Sequence, residues 1–298
     1  MSDTQPDGDD DRSGGALEGI RKRLSRTARL LTGSKLSVTN YDPRRHGSLV
    51  HFDGIQGAEE VDRYWLDVPF SFVSINWDPE TTDHLYHVVE PDLSEVERDL
   101  LDRLFDDVRD PLLYREDVAE DPEAALREEM RDRLQEYGVE ITEETFYKLF
   151  YYLHRSFQGY GKLDPLMYDP HIEDISCDGP NLPVFVYHDD YTDIGTNIVY
   201  GSDELDNFVI QLAQRSGRHV SVSDPVVSTT LPDGSRIELA LGKEVTPQGS
   251  AFTIRKYAEE PFTPIDLLEY GTFDLHMLAY LWLAIESNKS LIFAGGTA

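Results

Sequence analysis

The final stretch of the sequence, SLIFAGGTA, carries its clearest chemical pattern. Its apolar residues predict a buried strand over 290–294, which leads directly into Gly295, Gly296, Thr297 and Ala298. The backbone N–H groups of a glycine turn behind a strand can cradle phosphate, and these residues can begin the pattern G-x-x-x-x-G-K-[ST]. An ordinary β-turn at the end of a domain is the alternative, because two glycines after a strand are weak evidence alone.

Other catalytic or metal-binding patterns are lacking from the sequence. The runs 171–174 and 188–190 contain histidine and acid, but neither matches an EF-hand loop or an HExxH helix, so we expect no metal site. The pattern G-x-S-x-G is also absent. Cys177 lies in a strand-like run, which is typical of a buried and inert thiol.

The composition limits the classes of function. The chain has 298 residues with 57 acidic and 27 basic side chains, and its net charge of −30 argues against general binding of nucleic acid. An acid excess spread along the chain with little lysine predicts adaptation to a salt-rich cytoplasm; an ordinary acidic protein with a charged tail is the alternative. A single cysteine excludes an internal disulfide and fits a reducing compartment.

The secondary structure that would position a phosphate loop is predicted to change from strands to helices and then to a mixture of both along the chain. Residues 50–91 read as strands, and residues 92–157 read as helices, one of which starts at Thr142 and carries a predicted core stripe of residues 146, 150, 153 and 157. Beyond residue 160, short strands surround a helix at 202–217, and LPDGSR predicts a hairpin. Two further helices, 261–271 and 272–288, precede the final strand.

The N-terminal region is unlike the rest of the chain. Residues 1–15 are polar and acidic, which predicts disorder. Residues 16–32 predict a basic amphipathic helix, which would either dock on an anionic lipid surface or acidic partner, or fold against the acidic body of its own chain.

Four ordered blocks of sequence resemble the type II/type IV secretion ATPase superfamily, and its archaeal branch most closely. The resemblance covers residues 160–298 and rests on YGKLDPLMYDPHIEDISCDGPNLPVFVYH, RSGRHVSVSDPVVSTTLPDGSRIELAL, FTIRKYAEEPFTPIDLLEYGT and LAYLWLAIESNKSLIFAGGTA. These proteins are motors for secretion, pili, archaella and conjugation.

The resemblance implies an α+β fold with several parts. We expect a helical N-terminal region, then an α/β N-terminal domain of the secretion-ATPase type, then the start of a truncated RecA-like α/β domain. The corresponding divisions are 1–35 for the tail and basic helix, 36–158 for a small β segment and helical region, 159–258 for the α/β domain, 259–265 for a hinge, and 266–298 for the incomplete RecA-like part.

The resemblance also assigns arginines to the nucleotide. In this family, arginines of the N-terminal domain reach toward the phosphates of ATP bound between the domains. By position in the matching blocks, Arg236 and Arg255 are the best candidates and Arg218 is a weaker third. A guanidinium fork suits phosphate oxygens, whereas a salt bridge to one of the many carboxylates is the alternative role.

The family implies ATP with Mg²⁺ as cofactor, a homo-oligomer that is a hexameric ring, and a polytopic membrane platform protein as partner. We expect a cytoplasmic location at the inner face of the membrane, with peripheral contact through residues 16–32.

Because the sequence stops inside the glycine pattern, before its Lys, we expect no ATPase activity from the chain alone and poor order beyond residue 262. A truncated gene, an incomplete record or a deliberate fragment would each explain that end. A non-catalytic adaptor that docks a platform protein or sibling ATPase subunits is the alternative function.

Overall fold

The computed structural model describes residues 41, 43, 47–114, 121–243, 246–257, 263–292 and 294. The chain forms two compact units, residues 1–257 and 258–298. The predicted tail and basic helix at 1–32 lie outside the described residues, and so do Gly295, Gly296, Thr297 and Ala298.

The first unit combines one large sheet with helices. Its strands are β1 (Glu59–Asp67), β2 (Ser71–Asp78), β3 (Asp83–Val89), β4 (Ile172–Cys177), β5 (Pro183–His188), β6 (Thr192–Val199), β7 (Val226–Thr230), β8 (Arg236–Ala240) and β9 (Ala251–Arg255). Its helices are α1 (Glu95–Tyr114), α2 (Pro122–Glu136), α3 (Glu143–Phe157), α4 (Asp164–Tyr168) and α5 (Ser202–Arg215), with a 3-10 turn at Gly161–Leu163. The α+β class predicted from the sequence is therefore confirmed.

The nine strands form a single mixed sheet in the order β1-β2-β3-β6-β5-β4-β9-β8-β7. Neighbouring strands run antiparallel except β3 and β6, which pair in parallel at Leu85–Gly195 and Tyr86–Thr196. The sequence suggested that 50–91 belongs to a region separate from 159–258. The structure differs here, because β6 satisfies the backbone groups of β3 and the first three strands extend the same sheet. The domain division as a whole stays a prediction.

Buried and exposed residues alternate along the strands, so the sheet has a buried face and an exposed face. Ile175, Ile237 and Ile254 are buried in one core with the apolar side of α5, including Leu205 and Val209. Residues between them on β4, β8 and β9 therefore point to the opposite, solvent-facing side.

Helices α1 to α3 enclose a second apolar core. Thr142 caps α3, since its side chain accepts a hydrogen bond from the Thr145 N–H, which confirms the predicted start. Phe150 and Leu153 are fully buried, and Phe146 and Phe157 pack against them from partly buried positions. The predicted stripe of residues 146, 150, 153 and 157 is thus core.

In the second unit, α6 (Pro264–Glu269) and α7 (Leu275–Glu286) confirm the two predicted helices. No residue of α7 is buried, although most of its side chains are apolar. The predicted strand at 290–294 was wrong for the residues described there, because 290–292 and 294 adopt no strand. A lone strand leaves its backbone N–H and C=O groups unpaired, and the described residues of this unit offer no second strand. A RecA-like start therefore stays a prediction. No described helix has the length and apolar character needed to cross a bilayer.

Candidate functional site

The hairpin of β7 and β8 positions the first candidate arginine. The Leu231 N–H donates to the Ser235 carbonyl over 2.8 Å and closes the turn that LPDGSR predicted. Gly234 has a φ of 93°, a left-handed conformation that glycine adopts without strain. Arg236 follows as the first residue of β8, and its side chain is exposed.

Arg236 and Arg255 lie directly opposite each other on β8 and β9. Both are exposed on the face of the sheet that α5 leaves open. Cβ atoms of directly opposed residues are about 5 Å apart, and like charges at this spacing repel. The pair therefore places two cationic side chains next to each other in a chain whose net charge is −30.

The second neighbour of Arg255 is an acid. Asp174 on β4 lies opposite Arg255 on the side away from Arg236. The Arg255 Nε donates to Asp174 Oδ1 over 3.0 Å and its Nη2 donates to Oδ2 over 3.3 Å. This hydrogen bond raises the pKa of Arg255 above its usual value. The salt-bridge alternative considered for the arginines is thus realised at Arg255.

Arg236 differs from Arg255 in its contacts. Within the described part of the chain, its guanidinium makes neither a hydrogen bond nor an ion pair. Arg218 lies in the turn after α5, where its backbone N–H donates to the Ala213 carbonyl over 2.9 Å and its side chain is exposed. No described hydrogen bond or ion pair joins the Arg218 side chain to the arginine pair.

The residues after Arg255 fix the end of β9. Lys256 continues the buried side of the strand after Phe252 and Ile254, and its Nζ donates to the carbonyls of Leu166, over 3.0 Å, and Asp169. Burial lowers the pKa of Lys256 to about 8. This role of Lys256 was not predicted from the sequence, although the alternation of buried and exposed residues in FTIRK was a signal that could have placed Lys256 on the buried side.

Tyr257 also holds the end of β9 in place, since its N–H donates a hydrogen bond to the Ser235 Oγ over 3.1 Å. Its ring lies against the turn, where a Cβ at Gly234 would be 3.1 Å from the Tyr257 Cγ. The strand end is thus attached both to the turn that precedes Arg236 and to α4. Such support restricts the movement of a guanidinium aimed from either strand.

A buried polar network stiffens the same sheet further along. Asp169 is fully buried and accepts hydrogen bonds from the hydroxyls of Tyr64, over 2.7 Å, and Tyr86, over 2.6 Å. The Tyr64 hydroxyl also lies 3.0 Å from His188 Nε2. These contacts link β1, β3 and β5, and we assign them a structural role because each group is satisfied by a neighbour.

Cys177 is also structural. It is fully buried on β4, and burial raises the pKa of its thiol. A thiol that stays protonated is a poor nucleophile, which confirms the inert thiol predicted from the sequence.

The chemical capacity of the described residues is therefore recognition of an anion. Two guanidinium groups project from adjacent, well-supported strands, and one of them has donors to spare. Guanidinium forks bind phosphate and carboxylate oxygens in pairs. The roles expected for Gly295, Gly296, Thr297 and Ala298 stay predictions, because those residues are not described.

The chain is similar to one family model and to proteins of Methanocaldococcus jannaschii. Residues 18–92 match the model of the PilB3-like N-terminal family. The uncharacterized protein MJ1288 of Methanocaldococcus jannaschii is 37% identical over 198 residues, which cover 65% of this chain and 78% of that protein. The chain belongs to the family of MJ1288.

Two further proteins are similar to parts of this chain. The uncharacterized protein MJ0900 of the same organism is 39% identical over 167 residues, which cover 56% of this chain. The chain spans only 30% of the length of MJ0900. Among solved structures, the VirB11 ATPase from the Brucella suis type IV secretion system, in complex with sulphate, matches at 22% identity and a TM-score of 0.33, over 42% of this chain and 40% of that one.

Proposed function

We propose that this chain is the N-terminal part of an ATP-hydrolysing motor of the type II/type IV secretion family, which powers protein secretion or the assembly of a pilus or archaellum. The observation that carries the proposal is the pair formed by Arg236 and Arg255 on the exposed face of β8 and β9. The match of residues 18–92 to the PilB3-like N-terminal family supports the same assignment.

The arginine pair fits the phosphate end of a nucleotide. Arg236 and Arg255 would each present a fork of N–H donors to non-bridging phosphate oxygens. When bound, ATP with Mg²⁺ would supply the phosphoryl group to be transferred and a divalent positive charge beside it. Gly295, Gly296, Thr297 and Ala298 would add backbone N–H donors, and Arg218 is a weaker third arginine.

The work of the two arginines is electrostatic. Negative charge spreads over the equatorial oxygens of the phosphoryl group during transfer, and a fixed guanidinium stabilises it without reorganisation. Lys256 and Tyr257 hold β9 immediately after Arg255, so the backbone that carries this arginine stays in place. Both arginines belong to the first unit and would move with it as a body.

The motor would act through the segment that joins the two units. The predicted hinge at 259–265 follows Arg255 within a few residues and contains Pro261 and Pro264. We propose that this segment is a hinge whose conformation changes with the state of the nucleotide. We propose that six copies form a ring at the inner face of the membrane and act on a polytopic platform protein.

The test uses the proposed motor, in which this chain would be joined to a complete phosphate loop and catalytic domain. ATPase activity is measured at high salt for the parent protein and for Arg236→Ala and Arg255→Ala. We expect each substitution to lower kcat by on the order of a thousandfold, as removal of an arginine that meets the transferred phosphoryl group does elsewhere. Arg236→Lys should restore little activity, because an ammonium lacks the planar fork.

Arg63→Ala is the matched control. Arg63 is an exposed arginine on β1, at the far edge of the same sheet, and is paired with Glu60 over 2.6 Å. Its loss should leave kcat within about twofold of the parent, because exposed ion pairs contribute little. Full activity in both Arg236→Ala and Arg255→Ala would exclude the proposed role of the pair.

A further inference from the structure

The two arginines of the pair are in different states although they stand side by side. The guanidinium of Arg255 is engaged by Asp174 through two hydrogen bonds, Nε to Oδ1 over 3.0 Å and Nη2 to Oδ2 over 3.3 Å. Arg236 has no such partner within the described residues. One member of the pair therefore already holds an anionic group, and the other does not.

The contact on Arg255 has the form that a phosphate would use. A carboxylate and two phosphate oxygens both engage the guanidinium fork through parallel N–H donors. Because the Asp174 carboxylate covers Nε and Nη2, a phosphate that approaches the same edge must displace it. The Arg255 side chain is 72% exposed and that of Asp174 is 33% exposed, so the ion pair is open to such exchange.

The strand register makes this arrangement specific. Asp174 and Arg236 both lie directly opposite Arg255, one on each side. Glu173 and Glu238 also act on Arg255 through their charge, but among the described carboxylates it is Asp174 that hydrogen-bonds with it. Asp174 lies on β4, which is paired on both sides within the sheet, so its backbone stays next to that of Arg255.

We propose that Asp174 is a resident competitor for phosphate at Arg255, and thereby sets the affinity and selectivity of the arginine pair. This inference rests on the proposed function, since it assumes that the pair binds phosphate. Asp174 is a positioning residue: it touches Arg255 and not the nucleotide.

The consequence is a preference for polyphosphate chains. A ligand with a single charged group would exchange one ion pair at Arg255 for another and gain little. A diphosphate or triphosphate chain can engage the free donors of Arg236 at the same time, and this second contact compensates for the loss of Asp174. The pair would thus reject carboxylates and chloride and accept a nucleoside diphosphate or triphosphate.

The test measures binding of inorganic tripolyphosphate to this chain by NMR titration of backbone amide signals. It is done at the lowest KCl concentration at which the circular dichroism of the native chain persists. Asp174→Asn should tighten binding about two- to fivefold, the size expected when one exposed ion pair no longer competes. Acetate should bind Asp174→Asn relatively better than it binds the parent chain, because selectivity falls with the competitor removed.

Asp193→Asn is the matched control. Asp193 is exposed on β6 in the same row of the same face, since it lies opposite Tyr187, which lies opposite Asp174. Three strand spacings, about 14 Å, separate its row position from that of Arg255. The substitution removes the same charge from the chain, but from a distance greater than the Debye length of about 10 Å at 0.1 M salt, so its effect on affinity should be well below twofold.

A double-mutant cycle separates competition from any structural effect. In an Arg255→Ala background, Asp174→Asn should no longer improve binding, because there is no guanidinium to release. An unchanged or weaker affinity in Asp174→Asn, or an equal gain in Asp193→Asn, would overturn the inference while leaving the phosphate site intact. If the parent chain and Asp174→Asn both fail to bind tripolyphosphate, the proposed phosphate site falls and the inference falls with it.

Discussion

The buried carboxyl of Asp164 makes a sharp prediction about stability. Asp164 is 4% exposed, and its Oδ1 accepts a hydrogen bond from the Tyr160 N–H over 2.7 Å. Burial raises the pKa of this carboxyl from 3.8 to about 7, against the opposing influence of the Tyr160 hydrogen bond and of the charges on Arg155 and Arg215. The folded chain thus binds this proton more tightly than the unfolded chain does.

The sign of the effect follows from that direction. The stabilising contribution of the protonated carboxyl is fully present below pH 3.8 and is lost as the pH rises through about 7. Above pH 7, the ionised form lowers the free energy of unfolding by about 4 kcal/mol as an upper value. Asp164→Asn keeps the acceptor for the Tyr160 N–H and has no charge to bury. We therefore expect it to be more stable than the parent by about 2–4 kcal/mol at pH 8, and to lose that advantage near pH 4.

The assay is urea unfolding of both chains at constant KCl between pH 4 and pH 8, followed by tryptophan fluorescence. Asp132→Asn is the control, because Asp132 is exposed on α2 and the change in net charge is the same. It should shift stability by less than about 0.5 kcal/mol. An Asp164→Asn chain that is less stable than the parent at pH 8 would refute the reasoning, since Arg155 and Arg215 would then be favouring the ionised form.

Three further predictions concern the strand end and the second unit. Burial lowers the pKa of Lys256 from 10.5 to about 8, so the unfolded chain binds this proton more tightly than the folded chain does. The free energy of unfolding of the parent chain should therefore rise between about pH 8 and pH 10, and Lys256→Met should abolish that rise in urea unfolding. Gly234→Ala should lower the free energy of unfolding by about 2 kcal/mol, because the new Cβ would lie 3.1 Å from the Tyr257 ring and the backbone is left-handed. Gly242 is also left-handed but has open space where a Cβ would lie, so Gly242→Ala should lower it by about half as much. Limited proteolysis should cleave within 263–292 before it cleaves β4 to β9, since no residue of α7 is buried; equal resistance of both regions would contradict this.

Local patterns of the sequence predicted most of the elements. The Asp-Gly pair in LPDGSR marked the hairpin before Arg236, and Thr142 marked the start of α3. Both signals act over a few residues, so no knowledge of the fold is needed to interpret them.

Long-range pairing could not be predicted in this way. The contact between β3 and β6 joins residues more than a hundred positions apart through two pairs of residues, and no short sequence pattern predicts it. The strand predicted at 290–294 failed for the same reason, since an apolar run forms a strand only where a partner completes its hydrogen bonds.

In the candidate site, too, individual residues could be predicted from the sequence but their pairing across strands could not. The resemblance to a family indicated Arg236 and Arg255 individually, but their register opposite each other is a property of the sheet. The partnership of Asp174 with Arg255 spans 81 positions and follows from the placing of β4 beside β9. Lys256 was within reach of sequence reasoning, because the alternation of β9 alone puts it on the buried side.

The central claim is that Arg236 and Arg255 act together on the phosphates of a nucleotide. Its most direct test is NMR titration of this chain with Mg-ATP, with the Nε–H signals of the arginines assigned by substitution. We expect the signals of Arg236 and Arg255 to shift along one binding curve while that of Arg63 stays in place. If neither signal of the pair moves, or if Arg63 moves as far as they do, the pair is not a phosphate site.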